Sequence, residues 1–171
     1  QSANLFGMML GAIFLGGLGD RIGRKRIIVG GVFLFGAMTL ACLLTSTVTQ
    51  LAIVRFITGI GLGGVLPNDI ALTAETTPRR KRAMMTSFVI LGMSLGSGLP
   101  GVVAARLAPT HGWESLFIAG GVAPIVIGFL LAIFLPESLL YLTNRGRNRE
   151  QLARRVQALD PQLNITPDTV F

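Results

Sequence analysis

Two ionisable residues, Arg55 and Asp69, lie inside one run that is otherwise apolar from Leu51 to Ala74. Holding a charge near a bilayer centre costs roughly 2.5 to 3.5 kcal/mol even on lenient scales, so such a group needs a partner or has a task. On one helix their spacing amounts to about 21 Å along the axis and about 40° around it, which rules out direct pairing. For Arg55 two readings stand. Its stem snorkels to the outer interface, or its guanidinium faces a central cavity and holds an anionic substrate or influences a proton-carrying carboxylate. Asp69 follows Pro67 and Asn68, and the proline removes a backbone donor and frees a carbonyl near Gly63. That polar opening suits a hydrogen bond to a neighbouring helix or a water-filled pathway, with Asn68 as a hydrogen-bonding neighbour.

The second candidate is the stretch Gly16 to Arg26, reading GGLGDRIGRKR. Asp20 lies where a helix ends, against the negative end of the macrodipole, and an acid there prefers a partner outside its own helix. Gly23 permits a tight turn, and Arg21, Arg24, Lys25 and Arg26 supply positive charge. If the next basic stretch emerges on the same membrane face, Asp20, Arg24, Glu75 and Arg82 form one cluster. Nothing else resembles a reaction centre. The single histidine, His111, falls in a short connection without a nucleophile or metal-binding cluster nearby, and the lone Cys42 allows no intrachain disulfide. The glycines of Gly59 to Gly64 follow no strand, so they are not a phosphate cradle. We expect no enzyme, no cofactor and no metal.

The elements that position these residues are membrane spans. With 51% hydrophobic and 13% charged side chains, the chain carries about half the charge of a soluble domain. Its net charge of +7 does not point to nucleic acid, because all basic residues except Arg55 and Arg106 fall in three short clusters, 21–26, 79–82 and 145–155. Five segments, 3–19, 27–45, 51–74, 84–107 and 115–135, are long and apolar enough to cross a hydrocarbon core. The fold class is therefore an all-α membrane protein embedded in the lipid bilayer. Basic connections alternate with the uncharged stretch 46–50 and the Lys- and Arg-free stretch 108–114, which predicts antiparallel crossings with Gln1 outside and the C-terminus in the cytoplasm. An odd set of five starting outside also predicts a further helix before Gln1. Glycines four apart, Gly7 with Gly11, Gly59 with Gly63 and Gly92 with Gly96, predict close packing of the first, third and fourth helices. The second and fifth lack such a pair and are expected to face lipid more. From Pro136 the composition changes. Leu152, Val156 and Leu159 share one stripe, with Arg154 and Arg155 on the wet side, so 136–171 reads as a cytoplasmic segment with an amphipathic helix.

These motifs resemble those of the major facilitator superfamily of secondary transporters. Gly16, Leu18, Gly19, Asp20, Arg21, Gly23, Arg24 and Lys25 fit its signature between two spans; Arg55 with Gly59, Gly61 and Gly63 looks like its fourth-helix motif; Glu75, Pro78 and Arg82 have the spacing of the loop that follows; and Pro136, Glu137 and Ser138 resemble the end of its sixth helix. The resemblance implies helices two to six of the N-terminal six-helix bundle of a twelve-helix fold, with helix one and the C-terminal six-helix half as missing partners. The runs RFITGIGLGGVLPNDIALTAE and LPESLLYLTNRGR look most like the aromatic-acid/proton symporters. That resemblance implies proton-coupled uptake of a small organic, aromatic acid across a bacterial inner membrane. Arg55, Asn68 and Asp69 would lie on the substrate or proton pathway. Gly16, Asp20, Arg21, Gly23, Arg24, Lys25, Glu75 and Arg82 would belong to a cytoplasmic gate. The alternatives are a sugar or other metabolite porter of the same superfamily and a non-transporting membrane sensor with this fold.

Overall fold

The computed structural model describes residues 2–138, and the amphipathic stripe expected around Leu152 to Leu159 lies outside them. The described chain consists of five long helices: α1 (Ser2–Ile22), α2 (Arg24–Ala41), α3 (Val48–Thr76), α4 (Arg82–His111) and α5 (Glu114–Phe134), with a one-turn 3-10 helix at Cys42–Leu44. All five contain a stretch long and apolar enough to span a membrane. Their outward faces are fitted to hydrocarbon: Phe134 is 78% exposed and Leu95 76%, a surface that water would not tolerate over this many residues.

The connections are shorter than the sequence suggests. The stretch around Asp20 is not a loop, because α1 continues to Ile22 and α2 begins at Arg24, leaving Gly23 as the only break. Gly23 takes φ 110°, a left-handed conformation that side chains rarely adopt, and its N–H donates to the Gly19 carbonyl at 3.0 Å. At the other end α4 runs on to His111, so the expected connection 108–114 shrinks to Gly112 and Trp113. Gly112 is the second glycine with positive φ, at 75°. The start of α3 is capped locally: Thr47 Oγ1 accepts the Gln50 N–H at 3.2 Å, and Gln50 Oε1 accepts the Ser46 N–H at 3.0 Å.

Helices α1 and α3 lie parallel along a seam made of backbone. A Cβ at Gly7 would fall on the Phe56 carbonyl oxygen and one at Gly11 on that of Ile60. In return, a Cβ at Gly59 would fall on the Asn4 carbonyl and one at Gly63 on that of Met8. Nothing larger than glycine fits these four positions, and the close approach maximises dispersion where no hydrophobic effect operates between spans. A Cβ at Gly16 would meet the Pro67 ring at an ordinary 3.5 Å.

The other helices pack differently. A Cβ at Gly92 or Gly96 would meet nothing within 4 Å among the described residues, and no side chain described on α4 is buried. Helices α2 and α5, expected to face lipid more, form an antiparallel pair. Gly36 packs against the Gly121 carbonyl and the Ile125 side chain, Gly121 against Leu40, and Gly128 against the Phe33 ring, which a Cβ there would approach to 3.3 Å. Phe33 also meets Phe129 edge-on at 5.0 Å. The physical reason is spacing: Gly121 and Gly128 are two turns apart and so share a face, a relation that a search at four residues misses.

Candidate functional site

The charged stretches meet at one end of the bundle. Arg24, in the first turn of α2, reaches Asp20 Oδ1 at 2.8 Å and Glu75 Oε1 at 2.9 Å, tying α1, α2 and α3 together. Its side chain is 12% exposed, against 53% for Asp20 and 19% for Glu75, so the Glu75 contact is the less screened of the two. The second Glu75 oxygen accepts a short hydrogen bond from the hydroxyl of Ser138, which follows α5 and is 1% exposed. Beside it, Glu137 Oε1 accepts the backbone N–H of Lys25 at 3.2 Å. A carboxylate at the start of α2 complements the helix dipole and satisfies a donor that has no partner within the helix. The glycine at 23 also makes room for it, since a Cβ there would come within 3.0 Å of Glu137 Oε1.

Arg82 is not in this cluster. It is exposed at the start of α4, with no ion pair to a described residue, and Ser138 and Glu137 take the place expected for it. Arg21 is likewise exposed, and Lys25 contributes its backbone N–H. The Nε of Arg24, shut away from water, has no acceptor among the described residues.

Asn68 is also reassigned. It is 1% exposed, and its amide donates to the Leu15 carbonyl on α1 at 3.0 Å and to the Gly64 carbonyl at 2.7 Å. Gly19 leaves the space that its carboxamide fills. A side chain committed in this way clamps α1 to α3 beside Pro67 and does not line a pathway. Asp69, the next residue, is half-buried and makes no hydrogen bond or ion pair to a described residue.

At the opposite end, Arg55 borders a cavity of about 600 Å³ whose other walls include Asn4, Leu51 and Ala52. Its guanidinium makes no hydrogen bond or ion pair to any described residue. Instead its Cζ lies 5.4 Å from the centroid of the Phe117 ring on α5. Among the described residues, the Asn4 carboxamide oxygen is buried without a donor, and its NH₂ makes a 4.0 Å contact with the Met8 sulfur. An apolar cleft bordered by a guanidinium that has no ion pair among the described residues is suited to a small anion. Asp69 is not part of this cavity.

Sequence reasoning missed Asn4 and Phe117 as site residues and Glu137 and Ser138 as members of the charged cluster. The latter pair had a signal, an acid and a hydroxyl directly after the last apolar run. Their partners are remote in the chain, however, and only the packing of five helices brings them together.

Such a bundle, with charge locked at one end and a largely apolar cleft at the other, defines a polytopic α-helical membrane protein. The chain belongs to the Major Facilitator Superfamily, whose family model matches residues 1–161. It is 38% identical to the 4-hydroxybenzoate transporter PcaK of Pseudomonas putida over 95% of this chain and 36% of that protein. It is 39% identical to the gallate transporter of Pseudomonas putida over 93% of this chain and 35% of that protein. The chain thus spans about a third of the length of the curated relatives it matches. Its fold is shared with the proton:xylose symporter XylE, with a TM-score of 0.76 at 23% identity over 93% of this chain and 38% of that one.

Proposed function

We propose that this chain forms most of the first helical bundle of a secondary transporter that takes up a small aromatic acid together with protons by alternating access. The observation that carries this reading is Arg55: a guanidinium on the wall of an apolar cleft, without a hydrogen bond or ion pair to any described residue. A planar fork of five N–H donors matches a carboxylate in two-point contact, and an apolar cleft suits an aromatic ring. The relatives named for transport of 4-hydroxybenzoate and gallate support this substrate class. Asp69, inside a span and without a partner among the described residues, is the proposed proton carrier or second substrate contact. In this proposal the remaining helix and a second six-helix half complete the site. The membrane is a bacterial inner membrane, and the end carrying Asp20, Arg24, Glu75 and Glu137 is the cytoplasmic gate.

The test is uptake of labelled 4-hydroxybenzoate by the transporter that contains this chain, driven by an imposed proton gradient. Uptake that collapses with an uncoupler and falls at least about thirtyfold in Arg55→Ala, the loss that follows when one partner of a desolvated charge pair is removed, supports the reading. Gradient-driven uptake unchanged in both Arg55→Ala and Asp69→Asn overturns the assigned roles.

A further inference from the structure

Among the described residues the Arg55 guanidinium meets an aromatic face, and that face is itself held from behind. Arg55 Cζ stands 5.4 Å from the Phe117 centroid, and Trp113 meets Phe117 edge-on with centroids 5.9 Å apart and ring planes at 89°. Phe117 is in the opening turn of α5, and Trp113 directly precedes that helix. The turn before it is fixed by Gly112 at positive φ and by the Ser115 hydroxyl, which donates to the Gly112 carbonyl at 2.6 Å. The ring is thus carried by a short, well-determined corner of the bundle and not by a loop.

A guanidinium has two kinds of surface. Its flat face is attracted to the negative face of a ring, and its rim carries the N–H donors. Stacking uses only the face. A hydrogen-bonded partner such as Glu would occupy rim donors and remove the positive charge from play; a phenyl ring does neither. We infer that Phe117 is a positioning residue for Arg55, stacking on its flat face so that its rim donors remain aimed at the carboxylate of the transported acid. This inference rests on the proposed reading of Arg55 as the substrate's anion contact. Trp113 acts one step further away, by fixing the tilt of the Phe117 ring through an edge-to-face contact.

The stack is separable from simple space-filling, because leucine supplies apolar bulk without a ring face, whereas tyrosine and tryptophan keep the face. The experiment measures proton-driven uptake of labelled 4-hydroxybenzoate by the full transporter in Phe117→Leu, Phe117→Tyr, Phe117→Trp and Arg55→Ala, with membrane abundance measured for each. The expected result is a KM raised about fivefold in Phe117→Leu, the value of one partly desolvated cation–π contact, with kcat within about twofold of the parent. Phe117→Tyr restores the parent KM, and Phe117→Trp restores it or lowers it. A Phe117→Leu protein with the parent KM overturns the inference, as does a Phe117→Tyr protein as impaired as Phe117→Leu. The two levels of reading fail differently. If Arg55→Ala transports like the parent, the role of Arg55 falls and that of Phe117 with it. If Arg55→Ala is inactive while Phe117→Leu keeps the parent KM, only the role of Phe117 falls.

Discussion

Arg24 and Arg55 occupy opposite ends of the same bundle and have opposite surroundings. Arg24 reaches two carboxylates and is nearly covered, whereas Arg55 reaches none among the described residues and borders a cleft. A cation whose donors are used within the protein holds helices together. One whose donors are unused is available to something that comes and goes. The same residue type therefore serves cohesion at one end and, in the proposed function, recognition at the other.

The contrast breaks if the two arginines respond alike. Arg24→Ala leaves Glu75 and Asp20 facing each other without their cation, and a loss of about 2 to 3 kcal/mol is expected, read as a lower thermal midpoint in detergent. Arg55→Ala should shift that midpoint far less, by the roughly 0.5 to 1 kcal/mol of its contact with Phe117, while abolishing most uptake. Gly23→Ala sharpens the picture of the charged end. It places a side chain at φ 110° and against the Glu137 carboxylate, for an expected loss of about 1 to 2 kcal/mol in the same melt. Glu137→Gln keeps the hydrogen bond to the Lys25 N–H but removes the charge facing the α2 dipole, worth about 0.5 to 1 kcal/mol. The smallest effect belongs to Asp20→Asn, about 0.5 kcal/mol or less, because Asp20 is 53% exposed and its pair with Arg24 is screened. A drop in the Asp20→Asn melt as large as that of Arg24→Ala would mean that the outer contact, and not Glu75, secures the cluster.

Much of the fold was legible because length and apolarity limit what a span can be, and five such runs separated by polar stretches leave little choice. Glycine spacing was informative but incomplete. Gly7 and Gly92 sit in identical four-residue patterns, yet a Cβ on the first would fall on the Phe56 carbonyl and one on the second would meet nothing within 4 Å among the described residues. A small residue marks where a helix could be approached, and only the assembled bundle decides what approaches it. Polar residues followed the same logic. Asn68 was recognised as unusual by its chemistry, but its direction depends on how α1 and α3 are rotated, and that rotation turned it into the seam. Glu137 lies 112 residues from the backbone group it caps, a pairing that no local pattern encodes. Arg55 stood out at once because charge within a span is costly; its aromatic support did not, because a phenylalanine in an apolar helix looks like any other.

The α1–α3 seam also has a mechanical consequence. Asn4 and Asp20 are on one of these helices, Arg55 and Glu75 on the other, so the cleft and the charged cluster are fixed to the same beam of two parallel rods. With glycine pressed against backbone along that beam, the rods have little freedom to slide or roll over the roughly 30 Å from Arg55 to Glu75. The one interruption is Pro67, where α3 lacks a hydrogen bond, and beside it the Asn68 amide is pinned to the Leu15 carbonyl. A displacement at the charged end is therefore delivered to the cleft as rotation of a stiff lever, with any flexing concentrated at that single braced joint.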